Sequence, residues 1–344
     1  MELILGHNTV CNNYQISNSA LLKTERRKLP PNVRKIEDEA ISMKSHQLQE
    51  TSLRYFLEVV RCGSISEASQ RLNVASSAIS RQITGLEQIL DTVLFERRPR
   101  GMVLSAGGEV LAAHALKSAL EADRVVADLL SLKGLKSGRI RIASTEGFAI
   151  DFLPRLISDF QKKYPAIVFQ LYVGPPASVS RQVREGNADI GLTFSRIPEP
   201  NIKVVHQQPA PVMAIMRKDH PLSQFKQVSL SQLAAYPIAL PEPNTTLRQL
   251  FDLACNRQQL LFEPVLTSNY VEALYNFVMH SGGVSISGEV SVRDRVAEGK
   301  MLMLPIRDRG LDGRQVEVQT LIGRTLPRVV ETFLDYLLNH LRSQ

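Results

Sequence analysis

No stretch of this 344-residue chain strings together the ~18 apolar residues that a membrane-crossing helix needs, so neither a span nor a membrane partner is expected. Met1 to Leu5 is apolar but lacks the basic lead and hydrophobic length of a signal peptide, which points to a cytoplasmic location. Cysteine is scarce. Cys11, Cys62 and Cys255 are odd in number and far apart, giving no disulfide framework and no zinc-ligand spacing, so no metal is expected. Enzyme signatures are missing too: there is no G-x-S-x-G elbow, P-loop, G-x-G-x-x-G after a strand, or H-E-x-x-H. His220 before Pro221 reads as turn filler, and His114 falls on a long helix. No catalytic residue, cofactor or enzyme activity is therefore assigned. Tryptophan is absent, which leaves calorimetry or thermal shift as the practical way to follow a ligand.

What is present is ordinary globular material. The chain is 44% hydrophobic and 22% charged, which argues against wholesale disorder, and its length suggests two or three domains. A net charge of +7 and a pI near 9.4 favour an anionic partner.

The most informative stretch is Gly63 to Ile83. Ser64 followed three residues later by Glu67 fits a capping box opening a short helix, with Ala68 and Leu72 on one face. Asn73 tolerates the left-handed geometry that ends it, and Val74 plugs the turn. Ser76 or Ser77 caps a second helix whose apolar positions Ile79, Ile83, Leu86 and Leu90 recur at helical spacing. Its other face carries Ser77, Ser80, Arg81, Thr84 and Gln88. Small hydroxyls allow close approach to DNA, and arginine reaches a guanine edge or a phosphate. Leu53, Phe56, Leu57 and Val60 form the stripe of a helix that backs this pair.

This segment resembles the winged helix-turn-helix of LysR-type transcriptional regulators. The likeness runs on through Leu94-Phe95-Glu96-Arg97 and through Arg98-Pro99-Arg100-Gly101 to Glu109, matching the two-stranded wing and the start of the linker helix. Three departures stand out. The family often has Gln-Pro at Ser76-Ser77 and Gly at Asp91, and usually Thr at Ser105. The first alters base contacts; the other two leave the fold unaffected. Ser76, Ser77, Ser80, Arg81 and Thr84, with Arg97, Arg98 and Arg100 of the wing, are the expected DNA-binding residues. Residues 1–47 lie outside the likeness and are expected to be poorly ordered. They hold Lys23, Arg26, Arg27 and Lys28, then Glu37, Asp38 and Glu39. Translation from Met43 and a basic arm on DNA phosphates are both open readings.

After this DNA-binding domain (48–106) comes a linker helix (107–133). Leu111, Ala115, Ser118, Ala122, Val125, Leu129 and Leu132 alternate in steps of four and three, a coiled-coil seam. Leu111, Ala122, Val125 and Leu129 are its expected dimer contacts. Gly134 and Gly138 bracket a hinge, and from 139 to 344 strands and helices alternate as in an open α/β sheet. One helix is expected over Phe148–Lys163. The order implies two lobes, 139–208 plus 318–344 and 211–314, joined by two crossovers. That is the architecture of periplasmic-type binding proteins and of the family's effector domain. Phe152-Leu153-Pro154, Tyr164-Pro165, Gly186 to Gly191 and His220-Pro221-Leu222 carry the likeness here.

Open sheets bind ligands at the carboxyl ends of their strands. Hydroxyls and helix starts at those ends make Ser144, Thr145, Glu146, Thr193, Ser195, Thr245, Thr246 and Asn269 the expected effector residues. For Thr245, simple capping is the stronger reading, and Glu146 in the mouth would disfavour an anion or hold an amine. The chain is therefore expected to be a ligand-responsive transcription factor. Its partners are operator DNA, a small-molecule effector, a second copy of itself (a dimer, and a tetramer of two dimers) and RNA polymerase. Two alternatives stay open: a ligand-free DNA-architectural protein, and a metabolite-binding protein or enzyme with an accessory helical domain.

Overall fold

In the computed structural model, which describes residues 44–98, 101–132, 138–195 and 199–342, the helix-turn-helix part of the first structural unit begins, after a short helical turn at 44–47, with helix α1 (Thr51–Cys62). α1 turns Tyr55, Phe56 and Val59 inward and is closed by Gly63 at a φ of 66°. Helices α2 (Ile65–Leu72) and α3 (Ser76–Leu90) follow, then strands β1 (Phe95–Arg98) and β2 (Gly101–Leu104), paired antiparallel. Phe56 and Phe95 meet at 5.2 Å between ring centroids and join helices to hairpin. Met102 donates to the Gly63 carbonyl at 2.9 Å, and a Cβ on Gly101 (φ 122°) would crowd the same oxygen at 2.7 Å. Glycine is required where the hairpin presses on the end of α1.

Helix α4 (Ala106–Leu132) follows. Leu111, Ala115, Leu116 and Ala119 pack on the helix-turn-helix core of the same chain. Leu111, expected as a dimer contact, is thus half-buried against its own chain's core, which so small a domain needs to close. Ala122 is buried and Val125 half-buried, whereas Leu129 is 54% and Val110 74% exposed. The chain divides into two units after Val126.

The second unit runs through β3 (Gly138–Ser144), α5 (Glu146–Ala149), α6 (Phe152–Lys163), β4 (Ile167–Val173), α7 (Pro176–Arg184), β5 (Ile190–Ser195) and β6 (Ile202–Pro209). It continues with β7 (Met213–Met216), a 3-10 turn (Pro221–Gln224), α8 (Leu230–Leu233), β8 (Ile238–Pro241), α9 (Thr246–Arg257) and β9 (Leu266–Ser268). It closes with α10 (Val271–Ser281), β10 (Val284–Ser287), α11 (Glu289–Ala297), β11 (Leu302–Pro305), β12 (Gln315–Leu321) and α12 (Arg328–Arg342). Two five-stranded sheets result, ordered β4-β3-β5-β12-β6 and β11-β7-β10-β8-β9. Each is the heart of one lobe.

In lobe I, Val316 and Val318 of β12 join Phe148, Leu156, Phe160 and Phe333 in one core. The alternate residues Glu317 and Gln319 face the other way, where Gln319 holds Ser180 of α7 at 2.9 Å. Lobe II has its own core around Phe251, Leu240 and Ile286. The crossovers lie side by side: Ala210 donates to the Arg314 carbonyl at 2.9 Å and Val212 to that of Leu311 at 2.8 Å. The single helix expected over Phe148–Lys163 is two helices, broken at Ile150-Asp151. The apolar period runs unbroken across the gap, but Asp151 there reaches Arg295 of lobe II at 3.4 Å. Pro154 has no N–H for the Ile150 carbonyl and its ring clashes there, so the helix breaks at this point, and the ion pair occupies the gap.

Candidate functional site

The first unit offers one polar helix face. Ser64 starts α2 by accepting the Glu67 N–H at 3.4 Å, and Asn73 ends it at φ 54°, ψ 46°. Neither Ser76 nor Ser77 caps α3, contrary to expectation: the cap position is Ala75, with no side-chain cap bond. Ser76 instead meets the Ser69 hydroxyl at 3.0 Å and ties α3 to α2. With Ile79, Ile83 and Leu86 buried, Ser77, Arg81, Thr84 and Gln88 are exposed and Ser80 is half-buried on the same face. Arg71 is held by Glu67 at 2.8 Å, and Arg98 by Glu96 at 2.9 Å. Arg81 has no ion pair among the described residues, so its five N–H donors remain available. The side chain of Arg97 and all of Arg100 lie outside the described residues.

The second unit gathers buried hydroxyls at strand ends. Ser144 closes β3 beside Leu192, and the Thr145 N–H donates to the Leu192 carbonyl at 3.0 Å. The side-chain oxygens of Ser144, Thr145 and Thr193 are buried without a hydrogen-bond partner among the described residues. Such orphans cost stability unless something fills the site. Ser195 ends β5, and its side chain lies outside the described residues.

Glu146 corrects the sequence reading. Its Oε1 accepts the Val271 N–H at 2.9 Å and so caps α10 of the opposite lobe. Burial pushes its carboxyl up, Glu272 adds to this, and the Val271 N–H works against it. It latches one lobe to the other. Thr245 likewise is a cap: it accepts from Arg248 at 3.2 Å and donates to the Glu242 carbonyl at 3.0 Å, which occupies its hydroxyl. Thr246 is half-buried at the first turn of α9, and Asn269 is exposed just after β9. The structure thus brings together Ser144 and Thr145 but turns Thr193, the register partner of Glu317, to the other face of the sheet; Thr246 and Asn269 lie on lobe II near the Glu242 N–H to Ser268 bond.

Sequence reasoning missed Arg314. It is 2% exposed, its guanidinium carbon lies 3.8 Å over the Phe194 ring, and its Nε has no partner among the described residues. No carboxylate pairs with it among the described residues. Burial pushes its guanidinium down to about 9, still protonated at neutral pH. Its Nη2 occupies the space a Cβ on Gly288 would need, at the start of α11. Tyr275, whose phenol burial pushes up to about 12, meets Ser287 at 2.8 Å in the residue before.

The sequence matches the descriptions "LysR substrate binding domain" over residues 133–342 and "Bacterial regulatory helix-turn-helix protein, lysR family" over residues 51–109. The chain belongs to the LysR family. It is a DNA-binding transcriptional regulator with a two-lobed effector-binding domain, as its sequence suggested. LysR-family regulators bind DNA and small-molecule effectors and are typically oligomeric. Among similar proteins, the RuBisCO operon transcriptional regulator of Acidithiobacillus ferrooxidans is 25% identical over 289 residues, 83% of this chain and 92% of that protein. The HTH-type transcriptional activator CmpR of Synechocystis sp. is 27% identical over 291 residues, 83% and 93% of the two chains. A full-length OxyR variant from Pseudomonas aeruginosa shares the fold, with a TM-score of 0.60 at 19% identity over 83% of this chain and 93% of that one. No helix among the described residues is long and apolar enough to cross a membrane.

Proposed function

We propose that this LysR-family chain works in the cytoplasm, without catalysing a reaction, as an oligomer that reads operator DNA through α3 and reports effector binding to RNA polymerase. One observation carries the DNA reading: on the exposed face of α3, Arg81 stands free of any ion pair among the described residues, between hydroxyls at Ser77, Ser80 and Thr84. Arg81 supplies base contact; Arg98, Arg97 and Arg100 of the wing add phosphate contacts without sequence information. Val125 and Leu129 extend the assembly surface to a second copy, and two dimers make a tetramer on two half-sites. An effector between the lobes shifts the DNA-competent population by its differential affinity for the two forms.

Gel shifts on operator and scrambled DNA at several salt concentrations test this. Arg81→Ala is expected to weaken operator binding by about 1–3 kcal/mol, and Arg98→Ala to lower affinity on both DNAs and flatten the salt slope. Operator affinity unchanged in Arg81→Ala would remove α3 as the reading face. Val125→Glu with Leu129→Glu is expected to convert dimers to monomers in sedimentation.

A further inference from the structure

Arg314 sits where three features meet. It ends the crossover just before β12, so it stands at the carboxyl ends of β3 and β5, where open sheets place ligands. Its guanidinium lies over Phe194, which itself stacks on Phe148 at 4.7 Å. Its Nη2 fills the space beside Gly288, at the N-terminus of the nine-residue helix α11. A helix N-terminus carries about half a positive charge, so two positive groups have been buried against each other.

Among the described residues no carboxylate offsets them, and the face of the Phe194 ring does so only in part. Glu289, at the first position of α11, turns outward to Arg293 at 3.2 Å. Asp308 is occupied by the Leu230 N–H at 2.8 Å and by Gln258 at 2.6 Å. Asp312 is exposed. Glu317 lies on the opposite face of β12, bonded to Gln319 at 2.8 Å. A buried cation without a counter-charge is a strong penalty on the empty state, and a planar fork of N–H donors matches a carboxylate with two parallel bonds. The orphan oxygens of Ser144 and Thr145 lie at the same strand ends and provide neutral donors for the rest of such a ligand, whereas Thr193, the register partner of Glu317, faces the other side of the sheet.

We infer that Arg314 and the N-terminus of α11 form the seat for the carboxylate of a small organic acid, which is the effector of this regulator. The inference rests on the two-lobed domain being the sensor, and names the chemistry that the sensor takes. One negative charge balances one guanidinium, and Phe194 shields the pair from water.

The test uses the full-length protein without DNA, so it stands whether or not the DNA-contact assignment does. Thermal unfolding is followed with acetate and succinate, with acetamide and succinamide as neutral isosteres, and with inorganic phosphate at matched ionic strength. A carboxylate at about ten times its Kd is expected to raise the Tm by about 3 °C or more, and the amides to leave it unchanged. Arg314→Met should abolish the shift. Arg314→Lys, which keeps the charge but loses the fork, should need at least tenfold more succinate. A carboxylate shift that survives in Arg314→Met overturns the site. Equal shifts from the amides, or a shift from phosphate alone, overturn the carboxylate assignment. If the variants unfold, the amide-against-acid comparison on the wild-type chain still decides the ligand class. Operator binding by the wild-type chain is measured separately: its absence would sink the regulatory reading and leave the anion seat standing.

Discussion

Strand β12 is flanked by two buried arginines that the fold treats in opposite ways. Arg324, just past its C-terminal end, is 4% exposed at its side chain and meets Asp189 at 2.6 Å. Arg141 meets the same carboxylate at 2.7 Å, and the Arg141 N–H donates to it at 2.8 Å. Arg314, just before its N-terminal end, is equally buried and has an aromatic ring in place of a carboxylate. The sheet gives the reason. Asp189 precedes β5, at the amino end of that strand, and answers to Arg141 within β3 and to Arg324 past β12. Arg314 lies at the carboxyl ends of β3 and β5. A buried charge that the chain satisfies itself is architecture; one left unsatisfied at the ligand-binding edge is a receptor.

The largest expected effect is at the satisfied end. Asp189→Ala leaves two guanidiniums without their anion and should cost about 3–5 kcal/mol in urea or thermal unfolding. Burial works to raise the Asp189 carboxyl, and Arg141 and Arg324 overrule it and hold it below the usual carboxylate range. A depressed carboxylate stabilises the native state above its unfolded value, and that stability is lost as pH falls through the native one. Asp189→Asn should accordingly flatten the acid limb of the stability profile below about pH 4 relative to wild type. An unchanged acid limb would mean the network is not what acid attacks first.

Next comes a contrast in sign. Arg324→Met should destabilise by about 2–4 kcal/mol, because Asp189 stays buried with only Arg141. Arg314→Met removes a buried charge that has no partner, so without ligand its stability should match or exceed wild type. Calorimetric melting of the two variants side by side checks this. Equal losses would make both arginines structural and collapse the distinction.

That distinction was not written in the sequence. Much of the fold was: Asn73 announces a left-handed helix end, Ser64 a cap, and alternating strands and helices announce the lobes, because each is decided by near neighbours. The break at Ile150-Asp151 was in fact written locally, in Pro154 four residues on from Ile150, whereas Glu146 answers to Val271 of the other lobe, over a hundred residues away. Thr245 had two chemistries open to it, cap or ligand contact, and local geometry took the first. Arg314 sits in a polar run from Arg307 that reads as a solvated loop. What marks it is that no carboxylate among the described residues pairs with it, and that is a property of tertiary neighbours which no spacing encodes.

The smallest expected effect probes position without touching charge. Gly288 is at the cap position of α11 with an extended backbone, φ −92° and ψ 150°, that any residue adopts. Gly288→Ala should cost about 0.5–1 kcal/mol at the cap, because alanine caps a helix less well than glycine. Its Cβ, however, would occupy the place of the Arg314 Nη2. The guanidinium must then swing away from the helix terminus while remaining buried and charged. If the carboxylate is held jointly by the fork and the first N–H groups of α11, the two donors are misaligned and succinate affinity should fall about three- to tenfold by calorimetry. Because a tenfold loss is about 1.4 kcal/mol, it stands clear of the cap penalty, which acts on folding and not on binding. Wild-type affinity in Gly288→Ala would show that the guanidinium alone holds the anion. The contrast with Arg324 would then come from unpaired charge alone, and the helix terminus would have no part in it.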